Sequence, residues 1–200
     1  MVLTASTMLQ LGEPLPLAAI QTALGSAQLE QVSGRPLDLQ ELIDRPVLVL
    51  FLCAHCPFVK HIEPELSRLE RDLAQAELGW LGISANSTLT HPQDGPEGLR
   101  QQAERCGWRF PYLHDRDQSV ARAFRAACTP DLFLFDRQHR LAYRGQLDAS
   151  RPGNNLEPDG LDLRKAVAAV LSGRAAPEPQ QPSIGCNIKW HPGCEPDWAR

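Results

Sequence analysis

Val47 to Leu52 is an unbroken apolar run, Val-Leu-Val-Leu-Phe-Leu, bounded by Pro46 and Cys53. A run this short, with β-branched and aromatic residues in it, predicts a strand covered on both faces. The spacing then changes. Phe58, Ile62, Leu66, Leu69 and Leu73 recur every four or three positions, which is one face of a helix running to about Ala76. Pro64 lies inside that helix and should kink it. Trp80 to Ala85 predicts a second buried strand, and Leu24 to Val32 an edge strand. Asn86 to Gly95 reads as a long polar loop, and Pro96 can open a helix to about Cys106. Phe110 to Leu113 is a short extended piece, after which Asp117 can cap a helix through Ala127. Leu132 to Asp136 and Leu141 to Gly145 form a hairpin around Arg137, Gln138 and His139. A last helix opens at Asp159 or Asp162, keeps Leu163, Ala166, Val167 and Val170 on one face, and ends at Gly173. Strands alternating with helices place the chain in the α/β class.

The two ends read differently. Residues 1–16 form a draped arm, and 17–174 the domain proper. In the tail, 175–200, a linker from Ala175 to Pro182 precedes Ile184, Cys186, Ile188 and Trp190, which alternate with Gly185, Asn187, Lys189 and His191. Period two over eight positions predicts an extended segment docked on the domain, with Cys186 facing inward.

Composition narrows the function. A net charge of -4, with arginines scattered rather than in runs, gives no reason to expect nucleic acid as a partner. The first residues lack the basic start and apolar stretch of a secretory signal. No apolar run is long enough to span a bilayer. A cytoplasmic protein is expected, in a compartment that keeps thiols reduced. There, the 6 cysteines point to redox or metal chemistry more than to a disulfide framework.

Cys53-Ala54-His55-Cys56 falls at the turn from buried strand to helix. This reading puts Cys53 at the helix N-terminus, where free N–H groups and the helix dipole favour a thiolate. A thiolate attacks disulfides, and a second cysteine one turn on can displace the product. His55 can add positive charge beside Cys53. C-x-x-C before a helix in an α/β chain is a thioredoxin-like redox signal. As an alternative, Cys53, Cys56, Cys128, Cys186 and His55 could converge on a soft metal ion. Cys128, two residues before Pro130, and Cys186 are candidate accessory thiols; for each the other reading is a small buried apolar residue. Cys106 should be a buried helix-end residue, and Cys194 an exposed thiol in a turn. Asp148 and Arg151 read as an ion pair inside a loop that could border the site.

Five motifs together resemble one peroxiredoxin-like subgroup of the alkyl hydroperoxide reductase/thiol-specific antioxidant superfamily, whose bacterial members are usually labelled thioredoxin family proteins. They are Cys53 to Ile62 (C-A-H-C-P-F-V-K-H-I), Phe110 to Asp115 (F-P-Y-L-H-D), Ala127 to Asp136 (A-C-T-P-D-L-F-L-F-D), Arg144 to Gly153 (R-G-Q-L-D-A-S-R-P-G) and Ser183 to Trp190 (S-I-G-C-N-I-K-W). The resemblance implies a thioredoxin-like fold: a central mixed β-sheet flanked by helices, here with an N-terminal extension and a docked tail. It makes Cys53 the nucleophile and Cys56 the resolving residue. It places Thr129 and a cis Pro130 in the loop facing them, with the Thr129 backbone pairing to substrate. Two positions depart from the wider pattern. Val47 stands where thioredoxins carry a buried aspartate, and Leu50 where peroxiredoxins carry a threonine or serine. The leading expectation is a thiol–disulfide oxidoreductase acting on a protein or small-molecule disulfide, recharged by a cellular thiol reductant, with no cofactor. A thiol peroxidase is the second reading and a metal-binding module the third. The redox readings need both sulfurs close together, open to solvent, and facing Thr129 and Pro130.

Overall fold

In the computed structural model, which describes residues 3–199, the chain forms nine strands and six α-helices among the described residues. In order they are β1 (Leu3–Ala5), α1 (Leu17–Gly25), β2 (Leu29–Ser33), α2 (Leu39–Ile43), β3 (Val47–Phe51), α3 (Pro57–Asp72), β4 (Gly79–Ser84) and α4 (Pro96–Cys106). Then come β5 (Tyr112–Asp115), α5 (Ser119–Ala123), β6 (Cys128–Thr129), β7 (Asp131–Phe135), β8 (Leu141–Gly145), α6 (Leu161–Leu171) and β9 (Ile184–Asn187). Six strands make a mixed sheet in the order β2-β5-β4-β3-β7-β8, with β3 parallel to β4 and antiparallel to β7. A second, three-stranded sheet has the order β1-β9-β6.

The apolar run explains the layering. Alternate side chains of a strand point to opposite faces. Leu48, Leu50 and Leu52 therefore pack with residues of α3, α4 and α6, while Val47, Val49 and Phe51 pack with α1, α5 and Phe124. All six are fully buried, each contributing roughly 1.5–3 kcal/mol of hydrophobic stabilisation. The helix face read from the spacing is the buried one: Ile62, Leu66 and Leu69 of α3 lie in the core, with Leu73 against it. Pro64 sits inside α3, where it has no N–H to offer the Lys60 carbonyl.

Four expectations need correction. Leu24 to Val32 is not one strand: α1 runs to Gly25, and only Leu29–Ser33 is extended, at the sheet edge. Ile20 and Ala23, three apart, bury the inner side of α1, a helical signal masked by the prolines at 14 and 16. The helix expected through Ala127 ends at Ala123, because Arg125 turns to a positive φ of 47°. In the tail, Cys186, Ile188 and Trp190 are buried as the alternation requires, but Ile184 is 38% exposed. Residues 1–16 are not simply draped either, since Leu3–Ala5 pairs with the tail strand β9. Among the described residues no helix is long and apolar enough to cross a membrane.

Candidate active site

β3 delivers the chain to Cys53 and α3 takes over at Pro57, with Cys56 as its N-cap. Cys53 therefore lies three residues short of the helix N-terminus, and Cys56 occupies the position expected for Cys53. Electrostatics follows this placement. The Cys56 thiol is pushed below its ordinary value: interaction with the Cys53 thiol is the largest cause, the Cys186 thiol and the backbone amides of Val59 and Cys186 add to it, and burial opposes it. Cys53 is pushed the other way by burial, by its role as donor to Cys56, and by the charge of Asp94; only a hydrogen bond with Thr129 favours its thiolate. In this arrangement the charge of the pair rests on Cys56, at the helix end where unpaired N–H groups gather.

Thr129 holds both sulfurs. Its hydroxyl is 3.2 Å from Cys53 Sγ, and its carbonyl oxygen is 3.2 Å from Cys56 Sγ. The next peptide bond, Thr129–Pro130, is cis. Two of the sequence conditions are thus met, closeness and orientation toward Thr129–Pro130. The third is not, since Cys53 and Cys56 are both fully buried. Strand β9 lies against α3 and hydrogen-bonds to β6, opposing Cys186 to Thr129 and Asn187 to Cys128. The tail strand thereby occupies the Thr129 edge that the resemblance reserves for substrate. Cys186 Sγ comes to 2.7 Å from Cys56 Sγ.

A ring nitrogen of His55 lies within 4.8 Å of Cys53 Sγ. The His55 Nδ1 hydrogen-bonds to Oδ2 of Asp94, a residue the sequence reading passed over inside a polar loop. Asp94 is fully buried and accepts from four donors: the backbone amides of Ala54 (2.9 Å) and His55 (3.1 Å), the Asn86 amide (2.8 Å) and the His55 ring. Burial alone would raise its carboxyl, but the hydrogen bonds from His55 and Asn86 hold it below the ordinary value. Asp94 pins the C-x-x-C turn by its backbone, and its charge works against a thiolate on Cys53. A second overlooked residue is Gln102 of α4. It donates to the Cys53 carbonyl (3.0 Å) and to Glu63 (2.9 Å), and accepts from the buried Tyr112 hydroxyl (3.0 Å). The available signal was faint: an Asp just before a helix-opening Gly95-Pro96, and a Gln on the buried face of a polar helix.

Asn86 ties the tail to this network. Its amide nitrogen donates to Asp94, and its oxygen accepts from the Lys189 amide (2.8 Å). Ser87 N donates to the Lys189 carbonyl (2.7 Å), and Gln118 reaches the same carbonyl (3.0 Å).

The remaining candidates fall into place around these. Cys128 is buried; its sulfur faces the carbonyl oxygens of Pro130 (3.4 Å) and Ser183 (4.0 Å), and burial pushes its thiol up. Cys194 is exposed, whereas Cys106 is only partly buried at the end of α4. Asp148 and Arg151 do not pair side chain to side chain. Asp148 caps the chain entering α6 through the amides of Asp159 and Gly160, and Arg151 donates to the Asp148 carbonyl (2.7 Å). Both line a small cleft beside Pro130, with Phe58, His61 and Ile184. The metal set anticipated from the sequence is not assembled. Among the described residues, the ligand atoms that cluster within 4.8 Å of one another are those of Cys53, His55 and Asp94, and both oxygens of Asp94 are already taken by the donors above.

With this geometry in view, comparison with known proteins is informative. Residues 20–144 match the model of the AhpC/TSA family. The chain belongs to that family. It is similar to an uncharacterized conserved protein from Geobacillus kaustophilus, at 40% identity and TM-score 0.85, over 97% of this chain and 99% of that one. A hypothetical protein from Sinorhizobium meliloti 1021 is similar at 39% identity and TM-score 0.85, over 95% and 100%. A thiol-disulfide isomerase from Corynebacterium glutamicum shares the fold at 22% identity and TM-score 0.57, over 72% and 91%. The architecture is the thioredoxin-like one expected from the sequence, a central mixed sheet flanked by helices. No curated protein matches the chain.

Proposed function

We propose that this chain is a thiol–disulfide oxidoreductase whose redox couple is Cys53 and Cys56. The observation that carries the reading is the convergence of both sulfurs on Thr129, each 3.2 Å from an oxygen of the residue preceding cis Pro130. Family membership supports thiol chemistry in general. Charge stored on Cys56 reaches the attacking sulfur by one proton transfer, from the Cys53 thiol to the Cys56 thiolate. Cys53 then attacks a substrate disulfide, one substrate sulfur leaves as a thiolate and takes the proton back from Cys56, and Cys56 displaces the other sulfur as a thiolate while the Cys53–Cys56 bond forms. Two electrons pass to the substrate, and a thiol reductant of the cell restores the couple. Asp94 and Gln102 position the turn, and Thr129 presents the hydroxyl and the edge. His55 hydrogen-bonds to Asp94 beside Cys53. The substrate is a protein or small-molecule disulfide, and access requires β9 to lift from β6. A cytoplasmic setting, where thiols are kept reduced, would suit this role.

The test is trapping. Cys53→Ser should abolish reduction of a model disulfide, whereas Cys56→Ser should accumulate a mixed disulfide with it. Full activity in Cys53→Ser would end this reading.

One observation favours a second reading, thiol peroxidase. Leu50 supplies no hydroxyl, but Thr129 places one 3.2 Å from Cys53 Sγ from another element, where it could donate to a peroxide oxygen. Stopped-flow oxidation of the reduced protein by hydrogen peroxide separates the two. A rate no faster than that of free cysteine leaves the disulfide chemistry alone.

A further inference from the structure

Three sulfurs meet at this site. Cys186 Sγ lies 2.7 Å from Cys56 Sγ, although 130 residues separate them in sequence. Nothing about the approach depends on a loose side chain. Cys186 is 2% exposed and held on both sides by backbone pairing, opposite Thr129 on β6 and opposite Leu3 on β1. The neighbouring residue shows how close the two chains run: a Cβ on Gly185 would stand 2.1 Å from the Thr129 carbonyl oxygen. Only glycine lets β9 settle this deeply against β6. The tail thus presents a cysteine to the couple from the strand edge a substrate would use.

We propose that Cys186 is a third redox residue, which takes over the disulfide from the Cys53–Cys56 couple and closes a Cys56–Cys186 bond that fastens the tail across the site. Burial and the contact with Cys56 keep the Cys186 thiol protonated, so it gives up its proton as its sulfur attacks Cys56 Sγ. The Cys56–Cys186 bond forms as the Cys53–Cys56 bond breaks, the bonding pair leaves on Cys53, and Cys53 takes up the proton that Cys186 released. One disulfide and one thiol are present before and after, so no outside oxidant or reductant enters the step. The inference rests on the proposed couple for the disulfide it receives, and it makes the closed arrangement the form that awaits a reductant. Cys128, also buried nearby, faces carbonyl oxygens instead and takes no part.

The experiment is disulfide mapping on the full chain. The reduced protein is treated with one equivalent of bis(2-hydroxyethyl) disulfide, remaining thiols are blocked with N-ethylmaleimide, and linked peptides are identified by mass spectrometry. Wild type should yield the 56–186 linkage with Cys53 blocked. Cys53→Ser should leave 56 and 186 unjoined, since it forms no 53–56 bond to hand on, and Cys186→Ala should stop at 53–56. If wild type never joins 56 to 186 while Cys186→Ala closes 53–56, the relay is wrong and the oxidoreductase reading stands. If Cys53→Ser closes 56–186 but Cys186→Ala cannot close 53–56, Cys186 is a redox residue and the proposed couple is wrong. The wild-type map decides alone should either variant fail to fold.

Discussion

On either side of Thr129–Pro130 lies a buried region where a carboxyl and a thiol can be compared, and the two regions behave oppositely. At the head of α3, Asp94 accepts from four donors, and Cys56 Sγ meets the Cys53 and Cys186 thiols and helix-end amides as well as the Thr129 carbonyl oxygen. Both are held below their ordinary pKa values. On the far side, Cys128 and Asp131 are just as buried but poorly supplied. The Cys128 sulfur faces two carbonyl oxygens, and Asp131 receives one amide at 3.3 Å while its Oδ1 has no partner. Burial pushes the Cys128 thiol up and the Asp131 carboxyl up to about 7. Burial pushes all four groups toward their neutral forms; the hydrogen bonds aimed at Asp94 and Cys56 overcome it, and those at Cys128 and Asp131 do not. The chain builds a pocket that welcomes anions directly beside one that refuses them.

The contrast breaks most severely at Asp94. Replacing it by alanine leaves four donors in the core without an acceptor, and unfolding by denaturant should show a loss of roughly 3–5 kcal/mol, the scale for breaking a buried hydrogen-bonded charge. Asp94→Asn, which keeps the shape, should lose less. A change in Asp94→Ala indistinguishable from zero would mean that the turn does not depend on the carboxylate.

Next in size is the charge on Cys56. Ultraviolet thiolate absorbance of the reduced protein should reveal one thiolate persisting at neutral pH. It should vanish in Cys56→Ser and remain in Cys128→Ser. A spectrum without any thiolate at neutral pH would contradict the donor assignment at the head of α3.

Asp131 sharpens the other half. Its folded-state carboxyl is raised above the unfolded value, so the folded chain binds the extra proton. Stability from this group must fall as pH rises from the unfolded value toward about 7, and stay low above that. Asp131→Asn should therefore stabilise the protein at alkaline pH by about 1–3 kcal/mol, with the gain fading as pH drops to about 4. Equal stabilisation at both ends of that range would show that the carboxyl is not held protonated.

The smallest effect expected is at Thr129. Thr129→Val removes the one hydrogen bond that favours a thiolate on Cys53. Disulfide reduction should slow by less than about tenfold, the equivalent of one pKa unit or less. A larger loss would give the hydroxyl a part in the chemistry itself.

Much of the scaffold could be read beforehand because burial writes itself into periodicity. The core strand at Val47 to Phe51 and the inner face of α3 follow from spacing, the extent of α4 from the proline that opens it, and the hairpin of β7 and β8 from two apolar runs around a polar turn. The placement of Cys53 and Cys56 against Thr129 followed from the motifs. What escaped was polar and long-range. Asp94 and Gln102 are isolated residues on segments that look solvated, and only tertiary structure brings them to the turn. The helix boundary was misplaced by three residues, enough to shift the favoured charge from one cysteine to the other. Short α1 was lost to the prolines ahead of it. The depth of the tail was also hidden, because alternation shows that a segment docks but not what it covers.

The pairing of β1 with β9 joins the first and last strands of the fold directly above the sulfurs. An affinity tag, a fusion partner or a trimmed boundary near either strand is then no neutral change, since it pulls on the ribbon that carries Cys186. Preparations differing only at their ends should behave as different redox reagents, and assays of this protein gain from variants tagged on neither strand.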